Sequence, residues 1–271
     1  MTPDAGAFVF DVDGTLVLSE DPNTGGGIGA LPGAADVLKV LHARGTPWVC
    51  FTNGTGQTPG ELAARLRVAG LPVEDAQVLT PASVAATHIR ATHPDAPVLA
   101  FGTSGVLEPL QDAGICLIGL EDAEHARVVL IGADPLFTYD KLTAACQAVW
   151  AGAQLLVTSV APYFASRRGR MPSTSGAIAA GIRHVTGTEP TVVGKPSPLV
   201  LEACAQRLGA PTSELVVVGD DLHLEIRMAR EAGARSVLVL SGSSSMADVD
   251  AVPEDVRPDL VLPNIAALLV R

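Results

Sequence analysis

The chain has 271 residues, 48% of them apolar and only 17% charged, so it can bury a large core in one sizeable domain or two modest ones. A formal net charge of −11 argues against a nucleic-acid backbone or an anionic membrane as partner. No apolar run approaches the ~20 residues that span a bilayer, and Met1-Thr2-Pro3-Asp4 has no basic region leading into an apolar stretch, so a cytoplasmic protein is expected.

Strand-like and helix-like segments alternate almost throughout, which predicts an α/β protein with a largely parallel sheet. The first strand is the apolar run Phe8-Val9-Phe10-Asp11-Val12-Asp13, which ends in Gly14-Thr15. Positions i and i+2 of a strand point the same way, so Asp11 and Asp13 can converge at the sheet end where α/β proteins bind ligands. Two carboxylates so close need a cation between them or a shared proton. The connection that follows, with Asn23-Thr24-Gly25-Gly26-Gly27-Ile28-Gly29, fits no phosphate-binding fingerprint and is expected to be a flexible loop at the mouth of the site. A helix over 34–43 stops at Gly45, and a strand over 47–51 runs into Thr52-Asn53-Gly54. A helix over 59–69 ends at Gly70, and Pro81 opens another.

Further strands are expected at 98–101, 115–118, 128–131 and 155–157, with a helix over 139–150. Helices over 175–185 and 198–208 bracket a strand at 191–193 and the segment Gly194-Lys195-Pro196. The strand at 215–218 delivers Gly219-Asp220-Asp221 into a helix over 223–232, with strands at 236–240 and 260–262 beyond. The four cysteines, Cys50, Cys116, Cys146 and Cys204, lack metal-ligand spacing and are expected to be reduced core residues. About 140 residues separate Asn53 from Lys195, too many for one βαβ crossover, so a second α/β unit is expected to interrupt the first.

The ordered set Asp11-Val12-Asp13, Thr52-Asn53, Lys195 and Gly219-Asp220-Asp221, each at a strand end, resembles the haloacid dehalogenase-like hydrolases. Thr52 to Thr58, Val78-Leu79-Thr80-Pro81 and Ile131 to Tyr139 make the chain similar to the class IIA phosphatases of that superfamily. The resemblance implies a Rossmann-like core over 1–83 and 187–271, with helices on both faces of a parallel sheet. It also implies an inserted α/β cap over 84–186 that selects the substrate. It further implies Mg²⁺-dependent hydrolysis of a small phosphorylated metabolite through an aspartyl phosphate, with a homodimer plausible by analogy.

In that pattern Asp11 is the nucleophile, Asp13 the acid/base with a metal-binding backbone carbonyl, and Lys195 the neutralising cation. Thr52, Asn53 and Gly54 would bind phosphate oxygens, although Asn-Gly is also a strong turn signal in its own right. Asp220 is the leading side-chain metal ligand after Asp11. The family's second aspartate, five positions later, is Glu225 here, so either Glu225 or Asp221 would complete the metal site; a first-turn helix residue is the plainer reading of Glu225. Arg167, Arg168 and Arg170 form either a clamp for an anionic leaving group or a solvated basic loop. Two other functions remain open on sequence: phosphoryl transfer to an acceptor other than water, and binding of a phosphorylated ligand without turnover.

Overall fold

The structure, a computed structural model, describes residues 6–19, 27–166 and 169–270. The chain divides into two compact units, one of Met1–Thr52, Gly60–Leu79 and Lys195–Arg271, the other of Asn53–Pro59 and Thr80–Gly194. In chain order the first unit starts with β1 (Ala7–Asp11), the short strands β2 (Val17–Ser19) and β3 (Ile28–Ala30), α1 (Ala34–Ala43), β4 (Trp48–Phe51), α2 (Pro59–Val68) and β5 (Val78–Leu79). The second unit holds α3 (Pro81–Thr92), β6 (Val98–Phe101), α4 (Ser104–Asp112), β7 (Val128–Ile131), α5 (Tyr139–Trp150), β8 (Gln154–Val157), β9 (Tyr163–Ser166), β10 (Gly169–Pro172), α6 (Thr174–Thr186) and β11 (Thr191–Val192). The chain then returns to the first unit with α7 (Pro198–Leu208), β12 (Leu215–Gly219), α8 (Arg227–Glu231), β13 (Arg235–Val239), α9 (Met246–Ala251) and β14 (Leu260–Leu262).

The first unit is built on a six-stranded parallel sheet of order β14-β13-β12-β1-β4-β5. Every residue of β1, β4 and β12 is buried, as expected of central strands covered on both faces. On one face Phe8 stacks on Phe10 and Phe10 meets Trp48 edge-on, with ring centroids 5.7 and 6.3 Å apart. Val37, Leu38 and Leu41 of α1 and Leu66 of α2 pack into this same core. The strand order reverses direction at β1, with β4 on one side and β12 on the other. Ligands of α/β sheets bind at the carboxyl ends of strands at such a switch point.

The second unit carries a four-stranded parallel sheet of order β11-β8-β7-β6 and its own core of Leu99, Phe101, Val129, Ile131, Leu155 and Ile182. Proline at the first turn and a Thr80 capping box with Ser83 start α3; Ser173 caps the start of α6 and Gly187, at φ 73°, ends it. β9 and β10 form a separate antiparallel hairpin.

Three expectations need correction. The segment 115–118 is not a strand of the sheet; its only pairing is a single bridge from Leu117 to Val98. Cys116, on that segment, is therefore exposed, while Cys50, Cys146 and Cys204 are buried as expected. The ends of the glycine-rich segment are ordered: β2 and β3 pair as an antiparallel ribbon, and residues 20–26 between them lie outside the described residues. Among the described residues no helix is long and apolar enough to cross a membrane.

Candidate active site

β1 ends on Asp11, β4 runs into Thr52 and β12 runs into Asp220, so three polar side chains leave the carboxyl ends of three neighbouring strands. Register sets them within one residue of each other, with Asp11 opposite Phe51 and Phe10 opposite both Cys50 and Val218. Lys195, the first residue of the returning chain, points into the same place. Its Nζ donates to Asp11 Oδ1 and lies 2.5 Å from Glu225 Oε1, and all three side chains are almost wholly buried. The ammonium also sits 5.8 Å from the Phe51 ring centroid. Burial opposes the charge on Lys195, but the attraction of Asp11 and then Glu225 outweighs it and holds the ammonium above its usual pKa.

Asp220 is enclosed by a loop of small residues after β13. The Ser243 backbone N–H donates to Asp220 Oδ2 at 2.7 Å, and the Ser243 hydroxyl donates to the Asp220 carbonyl at 3.1 Å. The Ser241 hydroxyl donates to the Gly14 carbonyl at 2.7 Å, tying the same loop to the turn after β1. Only glycine fits at the two close approaches: a Cβ on Gly242 would lie 2.0 Å from Asp220 Oδ2, and one on Gly14, at φ +87°, would lie 2.5 Å from it. Burial, and then the charge of Asp11, push Asp220 up to about 6, against the pull of Ser243 and Lys195. Sequence reading missed this loop, although Ser241-Gly242-Ser243-Ser244-Ser245, an unusual run of small residues at a strand end, was a visible signal.

Asp221 and Glu225 take separate parts. Asp221 Oδ1 accepts the backbone N–H groups of His223 and Leu224 at 2.7 and 3.1 Å, capping a widened turn over Leu222–Ile226. Glu225 lies in the first turn, as a first-turn helix residue would, but it is 2% exposed and turned inward. Burial pushes Glu225 up to about 8; Lys195 opposes the shift, and the charges of Asp11 and Asp220 add to it. His223 is exposed.

Asn53 and Gly54 fall in the second unit, where a Cβ on Gly194 would lie 2.8 Å from Asn53 Oδ1. Arg167 and Arg168 lie outside the described residues. Arg170 on β10 is placed with its guanidinium 4.5 Å from the Tyr163 ring centroid on β9, a cation–π contact.

The charge balance bears on a metal. One ammonium faces the buried carboxylates of Asp11, Asp220 and Glu225, leaving a double negative charge if all are ionised. Asp11 Oδ2 is buried with no hydrogen-bond partner among the described residues. Among those residues no three Asp, Glu, His or Cys side chains form an all-protein metal cage. The surplus of buried carboxylates and the open Asp11 oxygen fit Mg²⁺, which uses one or two carboxylates and keeps waters and substrate phosphate as its other ligands.

Two family models match the chain, one described as haloacid dehalogenase-like hydrolase over residues 8–116 and one as HAD-hydrolase-like over residues 192–268. Ribonucleotide monophosphatase NagD of Escherichia coli K12 is 31% identical over 260 residues, 96% of each chain. The acid sugar phosphatase of Staphylococcus epidermidis is 30% identical over 245 residues, 90% of each chain. The solved structure of E. coli NagD matches with a TM-score of 0.85 over 97% of both chains. That of a Thermotoga maritima 4-nitrophenylphosphatase, 28% identical, matches at 0.86 over 99% of this chain and 97% of its own. The fold, the strand-end carboxylates and these matches define a haloacid dehalogenase-like hydrolase. Within that superfamily the chain belongs to the class IIA phosphatases.

Proposed function

We propose that the protein is a Mg²⁺-dependent phosphomonoester hydrolase of small phosphorylated metabolites, working through an aspartyl phosphate on Asp11. The observation that carries the reading is the buried Asp11 carboxylate, with Lys195 on one oxygen and the other without a hydrogen-bond partner among the described residues.

The steps follow from the chemistry of these residues. Asp11 attacks phosphorus and forms a bond to it as the bond to the leaving oxygen breaks. Asp13, two residues on, gives that oxygen a proton. Asp13 then takes a proton from the water that attacks the phosphoryl group, releasing inorganic phosphate and restoring the Asp11 carboxylate. Lys195 offsets negative charge on Asp11 and on the phosphoryl oxygens, the kind of electrostatic stabilisation that dominates phosphoryl transfer. Asp11, the Asp13 carbonyl and Asp220 would hold the cation, which supplies charge neutralisation at the phosphate when bound. Thr52, Asn53 and Gly54 would hold phosphate oxygens.

We read the second unit as the substrate-selecting cap, with the Tyr163–Arg170 pair offering an aromatic face and a cation to an anionic or ring-bearing leaving group. The relatives' names, a ribonucleotide monophosphatase, an acid sugar phosphatase and a 4-nitrophenylphosphatase, support a small phosphomonoester as substrate. A cytoplasmic location belongs to the same proposal. Phosphate release from a panel of nucleotide and sugar monophosphates, with Mg²⁺ and with EDTA, tests it. Mg²⁺-dependent release is expected, and silence across the panel and with p-nitrophenyl phosphate would refute it.

A further inference from the structure

We propose that Glu225 is a positioning residue for Lys195 and not a ligand of the cation, an assignment that rests on the phosphatase reading above. Both of its oxygens are committed: Oε1 lies 2.5 Å from Lys195 Nζ, and Oε2 accepts the Asp221 backbone N–H at 3.1 Å. The cation side of the site is elsewhere, at Asp11 Oδ2 and at the Asp220 carboxylate held by Ser243.

The local backbone is shaped for this longer acid. A Cβ on Gly219 would stand 2.3 Å from Glu225 Cγ and 2.5 Å from its Cβ, so the side chain crosses directly over a residue that must lack one. The turn that carries it is widened, with the Ile226 N–H reaching back to the Asp221 carbonyl at 3.3 Å. An aspartate at the same position would hold its carboxylate back by roughly one C–C bond, about 1.5 Å, beyond hydrogen-bond distance of Lys195.

The arrangement answers a need of the proposed reaction. When Asp11 bonds to phosphorus it gives up its carboxylate charge, and Lys195 loses that carboxylate as a partner. Glu225 stays in contact with the ammonium through both steps. The ammonium therefore stays at the reacting oxygens while the aspartyl phosphate forms and breaks, at no cost in reorganisation.

Glu225→Gln and Glu225→Asp test the assignment, read by steady-state hydrolysis of p-nitrophenyl phosphate and by direct Mn²⁺ binding followed by electron paramagnetic resonance. Both variants are expected to lose kcat by roughly 10- to 100-fold, with KM and the Mn²⁺ dissociation constant within about threefold of the parent, the scatter expected of a single site. Glu225→Asp keeps the charge and so carries the test if the glutamine variant does not fold. Mn²⁺ binding weakened tenfold or more in Glu225→Gln would overturn the proposal, because it would place Glu225 on the cation. Parental kcat in either variant would overturn it too. Failure of the phosphatase reading shows differently, as an Asp11→Asn protein that still releases phosphate at the parental rate.

Discussion

Lys195 is the residue on which the electrostatics of the first unit turn. It is a buried ammonium between two buried carboxylates, and removing one member of such a set leaves an uncompensated charge. Lys195→Ala is therefore expected to lower unfolding free energy by about 3 kcal/mol or more at pH 8, measured by urea denaturation; an unchanged midpoint would contradict the ion pairing. The carboxyls set a pH dependence of their own. Glu225 rises from 4.5 to about 8 and Asp220 from 3.8 to about 6, so each binds its proton more tightly folded than unfolded. Their contribution is complete below the unfolded values and is lost as pH rises through about 6 and then about 8. In EDTA the melting temperature should accordingly fall between pH 5 and 8.5, and Mg²⁺ should offset the part of the fall due to Asp220 by taking its proton's place. A melting temperature that climbs across that window in EDTA would contradict this electrostatic picture. The buried thiols play no part: burial raises Cys146 and pushes Cys50 and Cys204 up to about 12, so they stay protonated.

At the scale of elements, the loop after β13 decides how Asp220 is presented. Gly242→Ala would drive a methyl to within 2.0 Å of Asp220 Oδ2, so the loop or the carboxylate must move. Mn²⁺ affinity is expected to fall by about tenfold while β12 and β13 stay paired, read by metal titration beside circular dichroism; parental affinity would mean the loop does not position the ligand. Elements with strong local signals were legible in the sequence. β6, β7, α5, α7 and β14 fall where apolar period, proline starts and glycine stops put them. The helix α4 was not, because Gly105 and Pro109 interrupt its pattern, and neither was the antiparallel pair β9–β10, because the sequence between them carries no Asn-Gly or Asp-Gly signal. The expected helix over 223–232 starts as a widened turn because Glu225 is drawn inward to Lys195, a partner 30 positions away that no local pattern records.

For the whole molecule, the catalytic unit is closed by pairing β1 with β12, strands about 200 residues apart in sequence. Order along the chain pointed to the candidate residues for the chemistry, but the pairing of β1 with β12 is what brings Asp220 and Glu225 beside Asp11 and Lys195. Family membership then supplies the reaction class, and the buried, half-committed Asp11 carboxylate supplies the claim on which the mechanism stands. Hydrolysis of p-nitrophenyl phosphate by the parent and by Asp11→Asn, each with Mg²⁺ and with EDTA, tests it most directly. The account predicts Mg²⁺-dependent turnover in the parent and a loss on the order of a thousandfold or more in the variant. Turnover that survives in Asp11→Asn, or that EDTA leaves untouched, would contradict it.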